Sequence, residues 1–334
     1  MFDKSKKVIL IAEACENHFG NLDYAKKMIN EAKKSGADYI KFQHHIPDEE
    51  MLRNVPKSKN FKTTLYNFLK KNSLKISQHE ILKKYCEKKK IKYLCTPFCL
   101  KAAEELNEIG VDMYKIGSGE FTDLPFINEL LKFKKPIIFS TGMSTPAEID
   151  KIYKFINKRA KNKFAFLNCT SEYPPNYKDL NLYFIKYLQK KYKNIVIGHS
   201  DHTNDIYSSI AAVALGAKII EKHVFLENIN NGPDRDVSIT FKKFNEMVRA
   251  IRLLENSFSS KKKIYNKELE IVKWARRSIV TTKKISKGEK LNRNNIFSKR
   301  PSLGIPSYRY FKILGRKVRR DLKENILLKE KDLY

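Results

Sequence analysis

Polar side chains follow a series of short apolar runs in the first two thirds of the chain. Most of them are residue types that can ionise, donate a directed hydrogen bond or ligate a metal. The residues at or just after the run ends are Glu13, Asn17, Lys41, Gln43, Thr96, Lys115, Ser118, Glu120, Ser140, Asn168, Tyr173, Ser200, His202 and His223. One such residue means little, but their repetition predicts a single polar site if the runs lie side by side.

Two lysines within this set indicate an anionic ligand. Lysine supplies a point charge, and small hydroxyls and backbone N–H groups supply directed donors, so the set suits a ligand with phosphate and carboxylate groups. The turn Gly117-Ser118-Gly119 also permits close approach of the backbone to a phosphate. It lacks the third glycine of a dinucleotide fingerprint, and an ordinary strand-to-helix turn explains it equally well.

His202 and His223 are the candidate metal ligands. They end neighbouring predicted strands, so both imidazoles can converge on one ion. Two imidazoles, a carboxylate and open water positions suit Mn²⁺, Mg²⁺ or a similar Lewis acid. For either histidine alone a hydrogen-bonded structural role is the better explanation, but the pair at adjacent strand ends favours metal ligation. Candidate acids and bases near this end of the strands are Glu13, Glu120, Glu221 and Asp234.

The apolar runs have the length of buried parallel strands and alternate with amphipathic stretches that predict helices. The predicted strands are Val8–Glu13, Asp38–Gln43, Lys92–Pro97, Met113–Gly117, Pro136–Ser140, Phe164–Cys169, Ile195–Gly198 and Lys218–His223. The clearest predicted helices are Leu22–Ser35, Ala102–Ile109 and Phe241–Glu255. Eight such units predict an α/β chain with a (β/α)8 TIM barrel over residues 1–257, although an open doubly wound sheet is the structural rival.

The pattern changes after the last of these helices. Residues 258–275 are mostly polar and predict a linker with a connecting helix. Residues 276–334 contain short segments and Gly or Pro turns, which predict a small loop-rich domain. A module of this size is marginally stable alone, so we expect it to pack on another surface.

Charge and composition narrow the functional classes. The 67 basic and 37 acidic residues give a formal charge of +30, which is compatible with nucleic-acid binding. The lysines are nevertheless spread along the whole chain, so we expect no nucleic-acid partner and a surface that favours anionic substrates. Five cysteines without zinc or redox spacing predict reduced thiols. Without a signal peptide or membrane span, we expect a cytoplasmic protein and no membrane partner.

Ordered motifs over nearly the whole chain resemble the bacterial sialic acid synthase family. They are EACENH (13–18), KFQHH (41–45), TPF (96–98), YKIGSGE (114–120), STGM (140–143), SDHT (200–203), EKH (221–223) and GPD (232–234). The segment around Lys299-Arg-Pro301 resembles the family's C-terminal antifreeze-like (SAF) domain. The resemblance implies a TIM barrel with this SAF domain as a lid, in a domain-swapped homodimer.

The same resemblance implies roles for individual residues. The substrates are phosphoenolpyruvate and an N-acetylated mannose-type sugar, and a divalent metal, Mn²⁺ or Mg²⁺, is held by His202 and His223. Catalytic roles are implied for Glu13, Lys115, Glu120 and Asp234. Substrate contacts are implied for Asn17, Lys41, Gln43, Thr96, Ser118, Ser140, Asn168, Tyr173 and Ser200. Arg300 is expected to arrive from the other chain of the dimer.

Three segments bear on the acceptor sugar. QHHIPDEEM (43–51) and EFTDLP (120–125) depart from the form typical of N-acetylneuraminate synthases, and WARRS (274–278) resembles synthases of the diacetamido nonulosonates. The whole set is most similar to legionaminic acid synthases. That resemblance implies a 2,4-diacetamido-2,4,6-trideoxymannose acceptor, with neuraminate and pseudaminate synthesis as alternatives. Phe121 and Leu124 are candidates for a less polar pocket wall. Outside the family, a metal-dependent sugar isomerase or aldolase and an anionic-surface binding protein are the rival functions.

Overall fold

Eight parallel strands close into a barrel. The structure is a computed structural model that describes residues 7–54, 63–227 and 234–334. The strands are β1 Ile9–Glu13, β2 Tyr39–His44, β3 Lys92–Pro97, β4 Tyr114–Ile116, β5 Ile137–Ser140, β6 Phe164–Cys169, β7 Val196–Asp201 and β8 Ile219–Phe225. Each pairs with the next, and β1 pairs in parallel with β8, with Glu13 opposite His223. The predicted barrel is confirmed, and a two-residue strand, β9 Ile239–Thr240, extends β8.

Helices surround the strands. They are α1 Leu22–Lys34, α2 Pro47–Glu50, α3 Leu65–Asn72, α4 Ile76–Lys89, α5 Leu100–Glu108, α6 Leu124–Lys132, α7 Pro146–Arg159, α8 Phe184–Lys191, α9 Tyr207–Ala214 and α10 Phe241–Glu255. Local sequence explains their ends: Thr145 and Glu148 form a capping box around Pro146 at the start of α7, and Gly36 takes a positive φ of 88° after α1. The connection between β2 and β3 is long, and its described residues include the inserted helices α2 and α3 ahead of α4.

The alternation of side chains along each strand separates two cores. Residues that point outward, such as Ile40 on β2 and Phe139 on β5, pack against the helices. Residues that point inward form a second, smaller apolar cluster. Its members are Ile11, Tyr39, Leu94, Met113, Ile138, Ala165, Leu167, Val196 and Ile219. Because the period of a strand is two, the next inward position after each of these residues lies nearer the C-terminal end of the barrel.

Residues 259–334 form a second compact unit. It contains α11 Asn266–Ala275, the antiparallel pair β10 Ser278–Thr281 and β11 Ile296–Lys299, and the short helix α12 Tyr310–Ile313. Its own apolar core includes Ile279, Leu291 and Val318. Within the described parts of both units, no helix combines the length and apolar character that crossing a bilayer requires.

Candidate active site

A cavity of about 460 Å³ opens at the C-terminal ends of the strands. It is where active sites lie in TIM-barrel enzymes. The residues predicted for a site that line it are Glu13, Lys41, Gln43, Thr96, Lys115, Ser118, Glu120, Ser140, Tyr173, Ser200, His202, His223 and Asp234. Five of them, Glu13, Lys41, Thr96, Lys115 and Ser140, occupy the inward position two residues after a member of the inner apolar cluster, so strand periodicity brings them together.

A buried ion cluster forms the floor of this cavity. The Lys41 ammonium lies 2.9 Å from Glu13 Oε2 and 3.7 Å from Glu221 Oε1, and it donates a hydrogen bond to Thr96 Oγ1. Lys115 lies 3.5 Å from Glu221 and donates to Ser140 Oγ at 2.8 Å. These charges are withdrawn from water and are stabilised by one another, which leaves little freedom in their positions.

The two carboxyl groups of the cluster have different proton affinities. Burial raises the pKa of Glu13 to about 7, although Lys41 opposes the shift. For Glu221, burial acts in the same sense, but Lys115 and Lys41 outweigh it and hold the pKa below its usual value. Ser200 also donates a hydrogen bond to Glu221. Glu221 therefore stays ionised as a partner for the lysines, whereas Glu13 can exchange a proton near neutral pH.

His202 and His223 lie side by side, with ring centroids 5.1 Å apart. His202 Nδ1 lies 2.9 Å from the Thr170 carbonyl oxygen, which can only accept, so its Nε2 lone pair is available. Nδ1 of His223 is buried without a hydrogen-bond partner among the described residues. Burial lowers the pKa of His202 to about 4 and that of His223 well below its usual value. Both imidazoles are therefore neutral, the form that binds metals.

A cysteine adjoins this histidine pair. The ligand atoms of Cys15, His223 and Asp234 all lie within 4.8 Å of one another. The Cys15 thiol donates to Asp234 Oδ2, and burial together with this carboxylate raises the pKa of the thiol well above its usual value. Sequence reasoning grouped Cys15 with inert reduced thiols. Its position two residues beyond Glu13 is the feature of the sequence that could have indicated a site residue.

Further groups surround the remaining part of the cavity. Gln43 donates to Glu13 Oε1, and its own side-chain oxygen lies 3.0 Å from His45 Nε2. Tyr173 stacks on His202 with ring centroids 4.5 Å apart. Burial raises the pKa of Glu120 to about 7. Both carboxylate oxygens of Glu16 are buried without a hydrogen-bond partner in the described chain, and no motif argument identified this residue.

Three predicted site residues lie elsewhere. Asn17 donates to the Val224 carbonyl and to Ser238, and Asn168 donates to the Leu180 carbonyl, so both side-chain NH2 groups are engaged in structural contacts. The side-chain oxygen of Asn17 is buried without a hydrogen-bond partner among the described residues. Asn168 has the outward parity of β6, which explains its position. Arg300 belongs to the second unit, where it donates to the Ala275 carbonyl and lies over the Trp274 ring. Of the GPD motif, Gly232 and Pro233 lie outside the described residues.

The expected apolar wall is built from other residues. Phe121 points away from the cavity and packs edge-to-face on Phe139 and Phe166 behind the strands. Leu124 packs against the same outer core. The apolar side chains that line the cavity are Met51, Leu65, Phe68, Leu69, Phe98 and Met143. Most of them come from the insertion after β2, whose contribution to a wall could not be read from local sequence.

A buried pair behind the cavity positions both histidines. Lys222, on the outward face of β8, lies 3.1 Å from Asp201 Oδ2 on β7. Ser208 and Ser209 of α9 donate to the same carboxylate, and so does Thr203. Although burial disfavours the charge of Asp201, Lys222 holds its pKa well below its usual value. Asp201 and Lys222, which directly precede His202 and His223 in the sequence, are thus held together, and this positions the two histidines.

Comparison with known proteins agrees with this geometry. Residues 28–263 match the NeuB family, and residues 276–333 match the SAF domain. The chain belongs to the NeuB family. The resemblance stated from the motifs is confirmed, as is the pairing of a barrel with a C-terminal SAF domain.

Relatives of the NeuB-family chain are sugar-acid synthases. It is 36% identical to N,N'-diacetyllegionaminic acid synthase of Campylobacter jejuni, over 97% of this chain and 100% of that protein. It is 34% identical to pseudaminic acid synthase of the same species, over 99% and 98%. A crystal structure of N-acetylneuraminic acid synthetase from Leptospira borgpetersenii in complex with citrate superposes with a TM-score of 0.73 and 32% identity, covering 80% of this chain and 91% of that one.

The Asp201–Lys222 pair predicts a large stability effect. Asp201→Asn leaves the buried Lys222 ammonium without its counter-charge, so the free energy of unfolding should fall by about 3–5 kcal/mol. Urea unfolding followed by far-ultraviolet circular dichroism measures this loss, since the single tryptophan, Trp274, lies in the second unit. Glu80→Gln, which breaks an exposed pair with Lys84 on α4, is the matched control and should cost far less. Equal losses in the two variants would show that the buried pair does not anchor the barrel.

Proposed function

We propose that this NeuB-family enzyme condenses phosphoenolpyruvate with 2,4-diacetamido-2,4,6-trideoxymannose and water to give N,N'-diacetyllegionaminate and phosphate. The observation that carries the proposal is the convergence of Lys41, Lys115, His202 and His223 on one cavity. Phosphoenolpyruvate needs cationic and hydroxyl donors, and an aldehyde acceptor needs polarisation. Side chains that can meet both requirements line the same cavity.

Phosphoenolpyruvate is assigned to the side of the cavity that holds the lysines. Lys41 and Lys115 supply charge, and the hydroxyls that accompany them supply directed donors. Those hydroxyls belong to Thr96, Ser118, Ser140 and Ser200. Ser118 accepts from the Gly142 N–H at 3.1 Å, which fixes its oxygen between two strand ends. The trianionic substrate would compete with Glu13 for the positive charge of the lysines. Because Glu13 can be neutral, substrate binding does not leave an ionised carboxylate without a partner.

The residues present fit a divalent metal, which the family implies. His202 and His223 would hold it, because both imidazoles are neutral, adjacent and buried at the cavity wall. Among the described residues Nδ1 of His223 has no hydrogen-bond partner, which is consistent with this role, since buried polar atoms are normally satisfied. Mn²⁺ or Mg²⁺ bound there would supply Lewis-acid polarisation of the sugar aldehyde and activation of water.

The reaction forms one carbon–carbon bond and breaks one carbon–oxygen bond. The enol carbon of phosphoenolpyruvate attacks the sugar aldehyde, which leaves a cationic centre at C2. Water adds at C2, and the tetrahedral intermediate expels phosphate by C–O cleavage. Glu13 is assigned the proton of this water, because its pKa of about 7 permits exchange at neutral pH. Lys41 and Lys115 hold the phosphate as its charge develops.

The sugar is assigned to the side lined by Gln43, Glu120 and Tyr173. The apolar side chains that line the cavity, such as Leu65 and Leu69, support an acceptor with a 6-methyl group. A pocket of this type leaves additional hydroxyls unpaired and thereby discriminates against them. This argument, with the segments 43–51 and 120–125, favours the diacetamido sugar over N-acetylmannosamine.

We also propose that the chain works as a domain-swapped homodimer. In this arrangement the SAF domain of one chain covers the barrel mouth of the other, and Arg300 contacts the sugar or its product there. Closure would exclude bulk water from the cationic intermediate.

The acceptor is tested by phosphate release from phosphoenolpyruvate in the presence of Mn²⁺. N-acetylmannosamine, 2,4-diacetamido-2,4,6-trideoxymannose and the altrose isomer used for pseudaminate are compared in parallel. We expect kcat/KM for the diacetamido mannose to exceed that for N-acetylmannosamine at least about tenfold, because the apolar wall cannot pair an extra hydroxyl. Preference for N-acetylmannosamine would refute the acceptor assignment, and no release with any sugar would refute the condensation.

The swapped dimer is tested by complementation. Arg300→Ala and Glu13→Gln should each have low activity alone. When the two variants are refolded together, about half of the dimers are mixed, and each mixed dimer has one intact site. We therefore expect recovery of about one quarter of the wild-type activity. Arg300→Ala refolded with itself is the control, and a mixture no more active than this control would exclude exchange.

A further inference from the structure

We propose that Cys15 is a metal ligand of this enzyme and that, with His223 and Asp234, it forms a thiolate-containing metal centre. The inference rests on the proposed function only for the metal requirement. This centre differs from the paired-histidine site because it has a sulfur ligand, and that difference can be measured. It also assigns Asp234 to the metal and not to the sugar.

The first argument is geometric. Cys15 follows β1, His223 lies on β8, and Asp234 begins the stretch described after residue 227. Register brings these elements together, because Glu13 of β1 is opposite His223. The three ligand atoms lie within 4.8 Å of one another. Metal–ligand bonds of about 2.0–2.3 Å place two ligands of one ion about 3–4 Å apart, so small side-chain rotations suffice to reach an ion.

The second argument is the unused hydrogen-bonding capacity of the group. The His223 side chain is only 4% exposed, and its Nδ1 has no hydrogen-bond partner in the described chain. Asp234 accepts from the Cys15 thiol, which is a weak donor. A buried imidazole nitrogen without a partner is expensive in an apo protein, and the half-buried Asp234 carboxylate lies beside it. One cation between them would satisfy both and would take the thiol as its thiolate.

The third argument is the backbone at Cys15. Its φ is +46°, in the left-handed region where glycine is favoured and a side chain with a Cβ is disfavoured. Glycine at this position would avoid the strain and keep the turn. The position therefore carries a thiol at a conformational cost, and the thiol points at a histidine and a carboxylate. Strain of this kind at a cavity wall is typical of a functional side chain.

The donor set has a consequence for metal preference. Mg²⁺ prefers oxygen ligands, whereas thiolate with imidazole favours softer ions such as Co²⁺, Zn²⁺ and Cd²⁺. His202, beside His223, offers a further nitrogen for the same ion. We therefore expect this enzyme to bind Cd²⁺ and Co²⁺ much more tightly than Mg²⁺, and to owe that preference to Cys15.

The test is titration of the full chain with Co²⁺, with absorption spectra and equilibrium dialysis on the same samples. A thiolate ligand produces a sulfur-to-cobalt charge-transfer band in the near ultraviolet. Cys15→Gly is the decisive variant, because glycine accepts the positive φ and preserves the fold, which circular dichroism verifies. Cys169→Ser is the matched control, since Cys169 lines the same cavity but is outside the three-residue group.

We expect one Co²⁺ per chain with the band in the wild type and in Cys169→Ser. In Cys15→Gly the band should vanish, and the dissociation constant for Cd²⁺ should rise at least about tenfold, with a smaller change for Mg²⁺. A band that survives in Cys15→Gly would overturn the proposal. Stoichiometric Co²⁺ binding without a band in the wild type would overturn it too, as would failure of the wild type to bind Co²⁺.

The catalytic assay separates this inference from the proposed function. Phosphate release with Mn²⁺ by a wild type that shows no charge-transfer band would reject the thiolate ligand and leave the condensation intact. A band that depends on Cys15, in a protein that releases no phosphate with any acceptor, would reject the condensation and leave the metal centre intact.

Discussion

Four ionisable side chains from four different strands meet inside the barrel, and the charge state of each depends on the others. Lys41 and Lys115 lie against Glu13 and Glu221 at 2.9–3.7 Å in a region withdrawn from solvent. Burial of these groups costs desolvation free energy, which is offset only when the groups lie close together in a suitable geometry. The cluster therefore constrains the positions of the strand ends that carry its residues. The hydroxyls of Thr96, Ser140 and Ser200 are hydrogen-bonded to this cluster and take their positions from it.

Much of this arrangement could be predicted because strands impose a simple rule. The inward residues Met113 and Ile219 are followed two positions later by Lys115 and Glu221, and the same step connects the inner core to the site on β1, β2, β3, β5 and β6. Once eight strands were inferred, the side chains at their C-terminal ends had to converge. The family motifs then added roles that periodicity alone could not supply.

The rest depended on contacts between residues distant in sequence. Cys15 resembled any reduced thiol until its approach to His223 and Asp234 was known, and the pair of Asp201 and Lys222 involves outward faces that resemble ordinary polar positions. Asn168 does not reach the cavity because successive residues of a strand face opposite sides, and Asn168 lies on the outward face of β6. The apolar wall was misplaced for a related reason, since helices inserted after β2 approach the mouth from outside the barrel.

The central claim is that phosphoenolpyruvate reacts through its enol carbon and loses phosphate by C–O cleavage, while the buried lysines hold the departing group. Phosphoenolpyruvate labelled with ¹⁸O at the bridging oxygen tests this directly, with the released phosphate and the sugar acid both analysed by mass spectrometry. The account predicts that the label appears in phosphate and that the oxygen at C2 of the product comes from water. Label retained at C2, with unlabelled phosphate, would mean P–O cleavage and would contradict the account.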